Sequence, residues 1–256
     1  EAIYSEHAFA VYSLVVQAVG AKGIEVPANN YAHDLEQFLL AINKNTKVIY
    51  IANPNNPTGT LIDKSKLKSF LDNVPKNIIV VLDEAYDEYL DEDIKSEAFG
   101  WISDYKNLLI SRSFSKAYGL AGMRLGYGVS SSHLIEVMNR IRQPFNVNNL
   151  AQIAAIASLD DDDFIFKSKR INNLGMKQIT TAFAGLGIDF IESYGNFIAF
   201  KFEDEQAAMM YYQHLLKNGI IVRSIANYKM PEFLRVSIGL ELENDKFIKI
   251  LSNCNI

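Results

Sequence analysis

Asn107-Leu-Leu-Ile-Ser111-Arg-Ser113-Phe-Ser115-Lys116-Ala-Tyr-Gly119-Leu-Ala-Gly-Met-Arg124-Leu125-Gly-Tyr127-Gly-Val129 is the stretch whose pattern decides the fold. Its ends, Asn107–Ser111 and Leu125–Val129, are short apolar runs with strand character. Between them lie serines, glycines, Lys116 and Arg124. Upstream, Lys22–Val26, Lys47–Ala52 and Asn77–Leu82 have the same Val/Ile/Leu content with little polar alternation. That pattern suits strands buried on both faces. Helical spacing separates them. Leu35, Phe38, Leu39 and Ile42 fall at i, i+3, i+4, i+7 behind Asp34, a suitable N-cap, and Leu67, Phe70, Leu71 and Val74 repeat this behind Asp63. Strands alternating with helices predict an α/β fold with a mainly parallel sheet covered on both sides.

Downstream the pattern changes. A long helical stretch is expected from Asn149 to Ala184, with breaks near Asp160 and Gly175. Strands are expected at Ile188–Ser193, Phe197–Phe202, Ile220–Arg223 and Phe233–Ile238. A helix should span Glu205–Lys217, stopped by Asn218-Gly219, and a last one should open near Glu243. This is a smaller α+β unit, so the expected division is 1–150 and 151–256, with the long helix shared.

The whole chain has 256 residues, 49% hydrophobic and 21% charged, which is enough for a sizeable core. Its formal net charge of −5 comes without a basic block, which disfavours nucleic acid and anionic membrane surfaces as partners. The one cysteine, Cys254, cannot build a disulfide framework or a cysteine metal site within one chain, and it fits a reducing, cytoplasmic setting. The longest apolar run, Ala8–Val19, is short for a membrane span and contains Tyr12, Ser13 and Gln17. His7, His33, His133 and His214 lack metal-ligand spacing, so no metal is expected. Asp160–Asp163 has the character of a solvated first helical turn.

Four segments carry chemistry. Lys116 follows a buried strand, and binding sites in open α/β sheets lie beyond the carboxyl ends of strands. Its amine can condense with an aldehyde, although Ser113-Phe-Ser-Lys116 alone is better read as a surface lysine in a serine-rich loop. Arg124 presents a planar fork suited to a phosphate, with Ser113 and Ser115 as further donors. Asp83 ends a strand and opens Asp83-Glu-Ala-Tyr86, where an N-cap role is the simpler alternative. Asn53-Pro-Asn-Asn56-Pro-Thr-Gly59 is a constrained turn able to hold an amide against a ligand.

Taken in order and spacing, these segments resemble the fold-type I pyridoxal-phosphate (PLP) aminotransferases, and within them the histidinol-phosphate aminotransferases. Arg142-Gln-Pro-Phe-Asn-Val-Asn148 and Leu234-Arg-Val-Ser-Ile-Gly239 extend the resemblance over nearly the whole chain. It implies that Lys116 carries the cofactor as a Schiff base and shuttles the proton. Asp83 would pair with the pyridine nitrogen, and Asn56 and Tyr86 would bond the ring's phenolate oxygen. Ser113, Ser115 and Arg124 would hold the phosphate. Phe9, in Ser5-Glu-His-Ala-Phe9-Ala-Val-Tyr12, would stack on the ring, though it also fits a core position. Arg235 would bind a substrate carboxylate or phosphate, and Arg223 would be a second phosphate-binding arginine; an arginine in an apolar strand is costly unless paired, which supports a ligand for both. Asn196 would lie on the substrate side. The implied partners are an amino donor, a 2-oxo acid and a second copy of the chain. The implied reaction takes L-histidinol phosphate and 2-oxoglutarate to imidazole acetol phosphate and L-glutamate, in histidine biosynthesis. Aromatic amino-acid aminotransferases, relatives of the phosphothreonine decarboxylases and a non-catalytic scaffold are the alternatives.

The resemblance also implies about a hundred residues ahead of Glu1, among them a strand and a helix N-terminus that helps cradle the phosphate. On that expectation this chain is an N-terminally incomplete version that binds PLP weakly and turns over poorly.

Overall fold

The computed structural model describes residues 1–254. The first half runs β1 (Ala2–Ser5), α1 (Val11–Ala18), β2 (Gly23–Val26), α2 (Leu35–Ala41), β3 (Val48–Ala52), α3 (Lys64–Asn73), β4 (Ile79–Asp83), α4 (Ala98–Trp101), β5 (Leu108–Ser113) and β6 (Gly126–Ser130). Then follow α5 (Ser132–Ile141), α6 (Asn149–Leu159), α7 (Asp162–Leu186), β7 (Phe197–Lys201), α8 (Glu205–Lys217), β8 (Arg223–Ser224), β9 (Phe233–Ser237) and α9 (Glu241–Ser252).

Six strands form one sheet in the order β2-β1-β3-β4-β5-β6. β1 to β5 pair in parallel, and β6 returns antiparallel to β5. The carboxyl ends of β3, β4 and β5 therefore share one rim, which the start of β6 joins. The chain order reverses at β1, which lies between β2 and β3, and such a switch point opens a crevice at the rim. Ile3, Ile49, Ile51, Val80, Leu82, Leu108 and Ile110 are fully buried within this sheet, with Phe38 of α2 and Leu67 of α3 packed on them. Each such side chain contributes about 1.5–3 kcal/mol relative to exposure. Asp34 and Asp63 cap α2 and α3 as their spacing predicts, each accepting two backbone N–H groups.

A three-stranded antiparallel sheet, β7-β9-β8, forms a second layer with its own core of Ile179, Phe183, Ile198, Phe200, Leu215 and Phe247. Asp161 caps α7, and Asp162 and Asp163 lie in its first turn, as the acidic run predicts.

Several expectations are corrected. β1 is an unforeseen central strand, because four residues give too short a periodic signal. β6 is not buried on both faces, since Gly126 and Gly128 are exposed on this edge strand. The long helical stretch does break between Leu159 and Asp162, but α7 runs on through Gly175 without a break. Gly175 serves packing there: a Cβ would meet Ile238 Cγ2 at 2.5 Å and Asn244 Nδ2 at 2.7 Å. Ile188–Ser193 is not a strand but touches β7 through one isolated bridge, Phe190 to Phe200. Of Ile220–Arg223 only Arg223 is in a strand, the two-residue β8. None of the described helices is long and apolar enough to cross a membrane.

Candidate active site

A cavity of about 450 Å³ opens at the rim of the large sheet. Lys116 enters it from the turn after β5, Asp83 from the end of β4 and Asn56 from the loop after β3. Phe9 follows β1, and Arg124 lies two residues before β6. Tyr86, Ser113 and Ser115 complete the set of expected residues lining it. Residues from five segments, spread over more than a hundred positions, thus meet at one point.

The Lys116 amine is half-buried, 5.3 Å from the centre of the Tyr86 ring. Burial pushes its pKa down, the Arg235 charge pushes it further, and the Asp83 carboxylate partly opposes both. Asp83 also lines the cavity. Burial pushes its pKa up, while hydrogen bonds to its anion resist. Tyr12 donates its hydroxyl to Oδ2 at 2.7 Å, and the Ala85 N–H donates to Oδ1 at 3.2 Å. Tyr86 is buried against Phe197, ring centres 5.2 Å apart, and burial holds its phenol protonated.

The Asn56 loop is rigid by its own bonding. Asn53 Oδ1 accepts the Ile62 N–H at 2.7 Å, and Asn55 Nδ2 donates to the His7 carbonyl at 2.9 Å and to Thr58 Oγ1 at 2.8 Å. Gly59 sits at φ +79° with Ser193 against it, where a Cβ would meet Ser193 Cα at 2.8 Å. Both X–Pro bonds of the loop, Asn53–Pro54 and Asn56–Pro57, are cis. At the other end of the cavity Ser113 Oγ accepts the Ser115 N–H at 3.0 Å. Arg124 is exposed, in the left-handed region, and its Nη1 donates to the Ala121 carbonyl at 2.8 Å.

Arg235 lies beside this cavity. It donates to Asn56 Oδ1 and lies over the Phe197 ring at 4.9 Å. Burial, with Arg223 nearby, lowers its pKa. Arg223 is its register partner across β8 and β9, and the two line a neighbouring open depression. The burial cost expected of both arginines applies to Arg235 alone, because Arg223 on the short edge strand is exposed. Asn196 does not line the cavity. Its carbonyl accepts the Ile238 N–H at 2.9 Å. Sequence reasoning missed Tyr12, Ser111 and Phe197. Tyr12 was the findable one, being three residues from Phe9 at the start of a helix.

The donor set suits a phosphate-bearing aromatic aldehyde. It offers a lysine of lowered basicity, a carboxylate, an amide, a phenol, two hydroxyls and an arginine around one cavity. Among the described residues no group of His, Cys, Asp and Glu is arranged to hold a metal ion.

The sequence model of the family "Aminotransferase class I and II" matches residues 1–251. The chain is 57% identical over 251 residues to the histidinol-phosphate aminotransferase of Methylobacillus flagellatus, covering 98% of this chain and 67% of that protein. It is 50% identical over 250 residues to histidinol-phosphate aminotransferase 2 of Nitrosospira multiformis, covering 98% and 63%. The chain thus spans about two thirds of the length of these curated relatives. The crystal structure of histidinol-phosphate aminotransferase from Sinorhizobium meliloti in complex with pyridoxal-5'-phosphate superposes with a TM-score of 0.90 at 28% identity, over 98% of this chain and 69% of that one.

Proposed function

Because the chain belongs to the class I and II aminotransferases, we propose that it moves the amino group of L-histidinol phosphate to 2-oxoglutarate with PLP as cofactor. The observation that carries this is the convergence of Lys116, Asp83, Asn56, Tyr86, Ser113, Ser115 and Arg124 on one cavity. The histidinol-phosphate aminotransferases at 57% and 50% identity support the choice of donor.

When bound, PLP supplies an electrophilic aldehyde carbon and a protonated ring that accepts the electron pair of the broken Cα–H bond. Ser113, Ser115 and Arg124 would hold its phosphate, Phe9 would cover its ring, and Asn56 and Tyr86 would bond its ring oxygen. Asp83 would keep the proton on the ring nitrogen. Lys116 Nζ would hold the aldehyde, and its amine would serve as the base for the donor's Cα proton. Its lowered basicity makes the neutral, accepting form accessible. Arg235 binds the substrate's anionic group, exchanging its bond to Asn56 for a stronger ionic one, and Arg223 adds a second charge for a phosphate.

The division into domains 1–150 and 151–256 belongs to this reading and is supported by the separate cores of the two sheets. So do a homodimer and a cytoplasmic location. Exposed Leu14, Val19, Leu150, Ile153 and Ile156 supply apolar surface for a second copy. The net charge of −5 supports small molecules rather than nucleic acid as partners.

The test is amino-group transfer to 2-oxoglutarate with histidinol phosphate or phenylalanine as donor. The phosphate donor should be preferred, and Arg223→Ala should erode that preference by roughly tenfold, the value of a charge-assisted hydrogen bond. Equal use of both donors would favour an aromatic aminotransferase.

A further inference from the structure

Asp83 is gripped by a residue that no motif singles out. Tyr12, on α1, is 5% exposed, and its hydroxyl donates to Asp83 Oδ2 at 2.7 Å. The phenol is fixed independently of that bond. It stacks on Tyr50 with ring centres 4.9 Å apart and planes 12° from parallel, and it meets Phe9 edge-on at 6.0 Å.

We propose that Tyr12 is a positioning residue for Asp83: its hydroxyl, docked on Oδ2, keeps the carboxylate ionised and in one orientation in the cavity wall. The proposal rests on the PLP reading above, because only an ionised Asp83 can hold a proton on the cofactor's ring nitrogen. A carboxylate taken from water drifts toward its neutral form unless donors hold the anion. The Tyr12 and Ser111 hydroxyls, the Ala85 N–H and the Lys116 charge all favour the anion here. Among the titratable neighbours, Tyr86 also feels the Asp83 charge, but its burial keeps it neutral. Tyr12 is likewise held protonated, by burial first and by the Asp83 charge second, so it remains a donor.

The experiment follows the Asp83 carboxyl by isotope-edited NMR through an acid titration of the 256-residue chain without cofactor. Tyr12→Phe, which keeps both ring contacts, should move the Asp83 midpoint upward by about one pH unit. Tyr50→Phe should leave it in place. With PLP added, Tyr12→Phe should retain cofactor roughly tenfold less tightly. An unchanged Asp83 midpoint in Tyr12→Phe overturns the proposal. Should that variant not fold, the Tyr12 hydroxyl proton of the unaltered chain must shift as Asp83 titrates, and a static signal overturns the proposal equally. A moved midpoint in a chain that takes up no PLP would support the hold on Asp83 while refuting the cofactor assignment.

Discussion

His33 shows how a buried side chain far from the reacting atoms serves the cavity. Its Nε2–H donates to the Ala52 carbonyl at 3.0 Å, one residue before the Asn53–Gly59 loop. Burial lowers its pKa from 6.5 to about 4, so the folded chain keeps it neutral where the unfolded chain protonates it. That neutral state stabilises the fold fully above pH 6.5. The contribution is lost as the pH falls through this window, by about 3 kcal/mol at pH 4. Buried Asp83, Glu84, Asp87 and Glu88, whose pKa values are raised by burial, act in the opposite sense as acid is added. The difference between chains isolates the histidine. Measured by urea unfolding, the stability of unaltered protein minus that of His33→Gln should fall by about 3 kcal/mol between pH 7 and pH 4. A pH-independent difference would contradict this account of His33. Such roles were invisible in the sequence, where His33 has no patterned partner. Lys116, Asp83 and Arg124 were legible because their spacing survives in the chain. Tyr12 could be placed beside Phe9 by its helical spacing, but its bond to Asp83 could not be read, because that partner lies 71 positions away.

At the scale of elements, α7 is the clearest lesson. Its 25 residues were expected to break at Gly175, since glycine disfavours helix interiors. Tertiary packing overrides that preference. Gly175 lets α7 lie against Ile238 and against Asn244 of α9, whose amide donates to Gln178 Oε1 at 3.0 Å and to the Gly239 carbonyl at 3.1 Å. Gly175→Ala gains about 1 kcal/mol of helix propensity and loses about 1–3 kcal/mol to overpacking. We expect a lower midpoint in thermal unfolding, and a raised one would contradict the packing argument. Elements were legible where apolar runs were long enough to set a period, as in β3, β4 and β5. The short β1 and β8 failed that test, and their strand character comes from neighbours rather than from their own residues.

On the scale of the whole molecule, two separately cored sheets meet over the cavity. The Gly59 carbonyl accepts the Tyr194 N–H at 2.8 Å, His7 Nδ1–H donates to the Tyr228 carbonyl at 2.8 Å, and Arg235 reaches Asn56. Lys169 of α7 bonds the Leu90 carbonyl and pairs with Asp91 at 2.9 Å. Arg235 thus comes from one sheet, and Lys116, Asp83 and Asn56 from the rim of the other. The central claim is that Lys116 is the amine that attaches the cofactor, and borohydride reduction of the chain with PLP, followed by peptide mass mapping, tests it most directly. The account predicts one reduced phosphopyridoxyl group, on Lys116, and none in Lys116→Ala. Label spread over surface lysines, or none on Lys116, would contradict it.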